Sequence, residues 1–178
     1  MATQIELDRA LEYLLGELEK HGVAEKTLIA LSADHYPYGL NKKTIDELAG
    51  HEVEENFELY RNGFLLYAKG MEPVKVDKPA SSLDIIPTLS NLLGLEYDSR
   101  LLMGRDLFSD GEGLVIFQNR SFITDQGRYN AITNHFIPNG GHQVDAEYVK
   151  KIIGIVNAKF YFSAMILDRD YYSKIFKK

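Results

Sequence analysis

The run Thr27-Leu28-Ile29-Ala30-Leu31 is the strongest constraint on the fold. A short, almost wholly apolar stretch is too brief for a helix. It predicts a strand covered on both faces, and such strands belong to sheets flanked by helices. The neighbouring residues agree. Upstream, Ile5, Leu7, Leu11, Leu14, Leu15 and Leu18 recur at helical spacing, with acids and Lys20 on the other face. Gly22 then suits the left-handed position that ends a helix. Downstream come Ser32-Ala33-Asp34-His35 and a loop punctuated by Pro37 and Gly39. A helix feeding a doubly covered strand predicts an open α/β sheet, where ligands gather at the carboxyl ends of strands.

The rest of the chain extends this frame. Residues 41–56 are polar and predict one or two short helices. Gly63 to Ala68 is a second apolar strand, and Pro73 to Pro79 an extended connector. Ser81 to Leu93 predicts a helix capped by Asp84, with Pro87 in its first turn and Gly94 at its end. Leu114–Phe117, Ser121–Thr124 and Arg128–Thr133 are bounded by turn residues and predict a small antiparallel meander or pair of hairpins. From Val144 a helical stripe of Tyr148, Ile152, Ile155, Val156 and Phe160 follows, and the tail ends in lysines. This organisation gives residues 1–139 as one body and 140–178 as a helical C-terminal extension.

Composition excludes several functions. With 178 residues, of which 45% are hydrophobic, the chain can bury a real core. A net charge of -6 argues against a nucleic-acid binder, which needs a basic face. The absence of cysteine removes thiolate zinc sites, redox motifs and cysteine nucleophiles. No apolar run approaches the ~20 residues that span a bilayer. The start, MATQIELDRALEYLL, carries acids where a secretory leader has basic residues. The chain as given is therefore expected to be soluble.

Asp34-His35 is the best candidate for chemistry. A carboxylate and an imidazole at a strand's end can both turn toward one cation, and this donor set suits Mn, Zn or Mg. The pair alone is weak, since such dipeptides arise by chance; its place at the end of an apolar strand is what gives it weight. The other polar residues have plainer readings. His135 and His142 flank Asn139-Gly140-Gly141 and, with Asp145, outline a cluster, but a glycine loop fixes no geometry and these read as surface histidines. His21 lies at a helix C-terminus, where a cation suits the dipole. His51 needs no role. Ser81 and Ser82 read as caps and Thr88 as packing. The lysine tail has at most a weak affinity for anionic surfaces, and the aromatics near Phe160 read as core or a partner contact.

Three ordered segments add a resemblance that covers roughly residues 5–130. Thr27 to Tyr36 resembles the late metal-binding strand of the alkaline phosphatase/sulfatase superfamily. Ser82-Leu83-Asp84-Ile85-Ile86-Pro87-Thr88-Leu89 resembles the Asp-x-x-Pro-Thr-Leu helix of sulfatases, and Gly104-Arg105-Asp106-Leu107-Phe108 the Gly-x-Asp-Leu-Phe segment after it. Together with Asn119-Arg120-Ser121-Phe122-Ile123-Thr124, the match narrows to the lipoteichoic acid synthase-like branch of phosphoglycerol transferases.

The resemblance implies the C-terminal portion of an alkaline phosphatase/sulfatase-like α/β sandwich, with a small antiparallel hairpin region and a terminal helix. It implies a parent enzyme anchored in a membrane, with an extracytoplasmic catalytic domain acting on a lipid-linked or small phosphate or sulfate ester. That family holds a divalent cation, Mn or Mg in preference to Zn or Ca. Asp34 and His35 match its late ligand pair, and Tyr36 matches a pocket-lining position that packing explains equally well. The threonine nucleophile and the early acidic ligand match nothing in this chain. The chain alone is thus expected to be inert, to hold a cation weakly or not at all, and to pair with the missing N-terminal half of the domain or self-associate. Pro37-Tyr38-Gly39-Leu40-Asn41 departs from the synthase pattern and leaves the substrate open. The rival expectations are a non-enzymatic binding module, or part of a sulfatase or phosphoethanolamine transferase.

Overall fold

The computed structural model describes residues 2–141 and 143–176. The chain divides between Lys75 and Val76 into two compact units, within the extended connector. The first unit opens with helix α1, Ala2–Lys20, and Gly22 takes the left-handed φ of 68° after it. Strand β1, Leu28–Ser32, pairs antiparallel with β2, Phe64–Ala68, in a register that sets Leu31 opposite Leu65 and Ile29 opposite Tyr67. Between them lies helix α2, Lys42–Ala49, whose first turn is closed by the Asn41 carboxamide accepting from Thr44 N.

Both strands carry apolar residues on both faces, yet neither is buried as the sequence predicts. Leu28 and Ile29 are half-buried and the rest of β1 is exposed; in β2, Phe64, Leu66 and Ala68 are half-buried while Leu65 and Tyr67 face solvent. The reason is local. Among the described residues β1 and β2 form a two-stranded sheet, and a pair of strands cannot cover its own two faces.

The second unit is built on helix α3, Ile85–Leu92, and a four-stranded antiparallel meander: β3, Leu114–Ile116; β4, Phe122–Thr124; β5, Gly127–Asn130; and β6, His135–Pro138. The sequence predicts the first three strands. It leaves β6 in the glycine loop, because His135 to Pro138 is short and carries a proline; that proline sits at the strand's last position, on the sheet edge. Helix α4, Ala146–Asp168, starts where the Asp145 carboxylate accepts from Glu147 N. It presses Ile152 and Val156 onto Phe122, with Leu114, Ile116, Tyr129 and Phe136 around them. This is the core of the unit. Residues 139 and 140, where the sequence reading sets its boundary, lie in the link between β6 and α4. Helix α5, Tyr171–Ile175, follows a turn at Asp170.

Candidate metal centre

The chain bends sharply off β1 at Asp34-His35, and the bend turns both side chains to one place. The His35 Nδ1 lies 2.6 Å from the Tyr36 carbonyl oxygen. A carbonyl only accepts, so Nδ1 carries the proton and donates, leaving the lone pair on Nε2. Nε2 faces Asp34 Oδ2 across 3.4 Å, too long for a strong hydrogen bond. A single cation between them would take both as ligands. The Asp34 side chain is 87% exposed and that of His35 41%.

Aromatic rings fix the imidazole. Tyr38 stacks on His35 with centroids 3.9 Å apart and planes 5° from parallel. Tyr36 meets Tyr38 edge-on at 4.7 Å and Tyr60 at 5.7 Å. Tyr36 is half-buried as part of this aromatic cluster. The stacked Tyr38, three residues beyond His35 in the segment that departs from the synthase pattern, is the contact that residue-by-residue matching misses.

The donor set fits a divalent cation as a pair and no further. Among the described residues, no three His, Asp or Glu side chains gather into a metal-binding group. Asp34 and His35 stand side by side at the end of β1. His21 instead lies beside its own helix end, with Nδ1 2.8 Å from the Glu17 carbonyl oxygen. His51 pairs with Glu58 at 2.6 Å; this hydrogen bond raises the imidazole above its ordinary pKa and lowers the carboxyl. His135 is exposed on β6, and His142 lies outside the described residues. The Asp46 carboxylate accepts from Val53 N and from Lys42, which together hold its pKa below the usual range.

The second motif is a clasp. Asp84 does hold the cap position before Ile85, as expected, but its side chain makes no cap hydrogen bond to α3. A single 3-10 turn, Ser82–Asp84, precedes the helix, and Ser81 caps that turn in a capping box with Asp84. Asp84 is already helical there, so its carboxylate points back and accepts from Ser81 N at 2.8 Å and Ser81 Oγ at 3.2 Å. It also accepts from Arg105 N, 21 residues away, at 2.8 Å. Thr88, fully buried, donates to the Asp84 carbonyl oxygen and accepts from Leu107 N at 3.1 Å. Asn91 donates to Asp106 at 2.8 Å. The Asp-x-x-Pro-Thr-Leu and Gly-x-Asp-Leu-Phe segments are therefore one hydrogen-bonded assembly, and Ser81, Asp84 and Thr88 are structural. Gly104 lets the two backbones touch: a Cβ there would lie 1.9 Å from the Leu83 carbonyl oxygen.

Tyr148 is a further tie that sequence reading leaves as a core aromatic. Its hydroxyl donates to the Glu112 carboxylate and shares a 2.8 Å bond with Thr124 Oγ1. Burial, aided by the Glu112 bond, pushes this phenol up to about 12.

Comparison with known proteins fits this arrangement. The family model described as Sulfatase matches residues 3–95, which include the Asp34-His35 pair and the Asp84 helix. The lipoteichoic acid synthase of Staphylococcus saprophyticus subsp. saprophyticus is 35% identical over 128 residues, covering 69% of this chain and 20% of that protein. The lipoteichoic acid synthase of Staphylococcus aureus strain USA300 is 32% identical over 127 residues, with the same coverage of each. This chain thus spans about a fifth of the length of the curated relatives it matches.

Proposed function

Because the chain belongs to the sulfatase family, we propose that it is the C-terminal part of a metal-dependent phosphoglycerol transferase-like catalytic domain. Asp34 and His35 supply two of the ligands of one divalent cation, Mn or Mg in preference to Zn. The observation that carries this is the convergence of His35 Nε2 and Asp34 Oδ2 across 3.4 Å, with the imidazole tautomer set by the Tyr36 carbonyl. The nucleophile and the remaining ligands come from parts of the relatives' length that this chain does not span.

The apolar outer face of the β1–β2 pair, with Leu65 65% and Tyr67 47% exposed, supports the same assignment. Leu31, Leu65 and Tyr67 share that face, and it is the surface a neighbouring part of the domain covers. In the assembled site, a cation held by Asp34 and His35 would supply Lewis-acid polarisation of the phosphoryl group. The chain's own residues then do three things. Asp34 brings a negative charge to the shell, His35 the Nε2 lone pair of one tautomer, and Tyr38, met edge-on by Tyr36, stacks on the imidazole. The full-length enzyme is anchored in a membrane with this domain outside it, and acts on a lipid-linked or small phosphate ester.

The test replaces Asp34 or His35 with Ala in the full-length protein and measures turnover and thermal unfolding on the same preparations. Loss of a first ligand should remove most turnover with the melting curve retained, and His135→Ala should change little. Near-normal turnover in both Asp34→Ala and His35→Ala would overturn the assignment.

A further inference from the structure

Beyond the metal pair, and independent of it, we infer that the C-terminal segment from Tyr161 is a docking surface for an anionic lipid bilayer. Helix α4 outruns the sheet it packs on. Its last buried residue is Val156, yet it continues to Asp168. Beyond the sheet, Phe162 is 62% and Leu167 79% exposed, and past the turn Tyr172 is 43%, Ile175 43% and Phe176 64% exposed. Tyr172 and Phe176 stack on each other, with centroids 6.2 Å apart, rather than on the core.

Charge identifies the occupant. Residues 161–178 carry Arg169, Lys174, Lys177 and Lys178 against Asp168 and Asp170, a net +2, so the other 160 residues carry -8 of the chain's -6 total. Aromatic and aliphatic side chains interleaved with bases are the composition that partitions into the headgroup region, with rings at the boundary and cations on the phosphates. A bilayer rich in anionic lipid satisfies both features, and the acidic remainder of the chain is repelled from it, so only this end faces the surface.

The test is co-sedimentation of the 178-residue chain with vesicles of phosphatidylglycerol and phosphatidylcholine, beside vesicles of phosphatidylcholine alone. Binding is expected to the anionic vesicles, to fall as salt rises, and to weaken about tenfold in Phe162→Gln/Phe176→Gln. Lys174→Glu/Lys177→Glu should weaken it at least as much, each lost base being worth about fivefold. Circular dichroism on each variant shows that the fold is kept, and the lysine pair serves if the aromatic pair fails to fold. No binding to anionic vesicles, or equal binding to neutral ones, overturns the inference. So does a concentration-dependent dimer, seen by light scattering and abolished by Phe162→Gln/Phe176→Gln, because the surface would then be covered by a second copy. Asp34→Ala should leave vesicle binding unchanged, so the two proposals fail separately.

Discussion

Replacing Gly104 with Ala should cost the second unit about 3–5 kcal/mol, and the structure gives the reason. The added Cβ would sit 1.9 Å from the Leu83 carbonyl oxygen and 2.7 Å from Asp84 N. Both are backbone atoms, so no side chain can rotate aside. Restoring ordinary contact requires the Gly104 backbone to retreat by more than ~1 Å, and overpacking of this kind costs about 1–3 kcal/mol. That retreat also stretches the two bonds of the clasp, Arg105 N to Asp84 at 2.8 Å and Leu107 N to Thr88 at 3.1 Å. A bond to a charged acceptor is worth about 1.5–3 kcal/mol and a neutral one about 1 kcal/mol; losing part of each brings the total to the figure stated. In urea, with a slope near ~2 kcal/mol per molar, the midpoint falls by about 2 M. The direct assay is hydrogen exchange at the Arg105 and Leu107 amides, which should lose protection in the variant. A midpoint within about 0.3 M of the parent chain, with both amides still protected, would refute the clasp as a stabilising assembly.

Four further outcomes follow from the same geometry. Thr88→Val removes a buried hydroxyl that both donates and accepts and should destabilise by about 1–3 kcal/mol, and its effect should not add to that of Gly104→Ala in a double-mutant cycle. The stack on His35 predicts that, in the full-length enzyme, Tyr38→Ala weakens Mn affinity by calorimetry while Tyr38→Phe retains it; equal affinity in both would remove Tyr38 from the site. His51 is raised in the folded chain by its bond to Glu58. Its stabilising contribution is therefore full below the ordinary value of 6.5 and lost as pH rises through the higher folded value; Glu58→Gln should lower the His51 midpoint in an NMR titration. Tyr148 should ionise near 12 in an ultraviolet titration, above an ordinary tyrosine near 10. Stability that rests on its proton is present below pH 10 and lost as pH rises through the folded value, and Tyr148→Phe should remove that transition.

Much of this molecule is legible in its residues because the signals are local. Apolar periodicity finds α1, both strands of the first sheet and the buried stripe of α4. The Asp34-His35 pair is legible for the same reason: two adjacent residues at a strand's end need nothing distant to bring them together. What sequence reading misses depends on contacts across the chain. Asp84 carries the sequence signal of a cap, and only the approach of Arg105 turns it into a bridge. Tyr148 reads as one more core aromatic until Glu112, 36 residues earlier, meets its hydroxyl. The burial of β1 is misjudged because an apolar run reports the cover a strand calls for, while its exposure reports the cover this chain supplies.

The clasp has a consequence for where such a domain can work. Domains outside the cell commonly close long loops with disulfides, which need an oxidising compartment and fail under reduction. This chain has no cysteine, and the bond from Asp84 to the Arg105 amide closes a 21-residue loop without one. A reductant has nothing to break there. The loop keeps its shape in reducing and oxidising surroundings alike, and its closure waits for no oxidant.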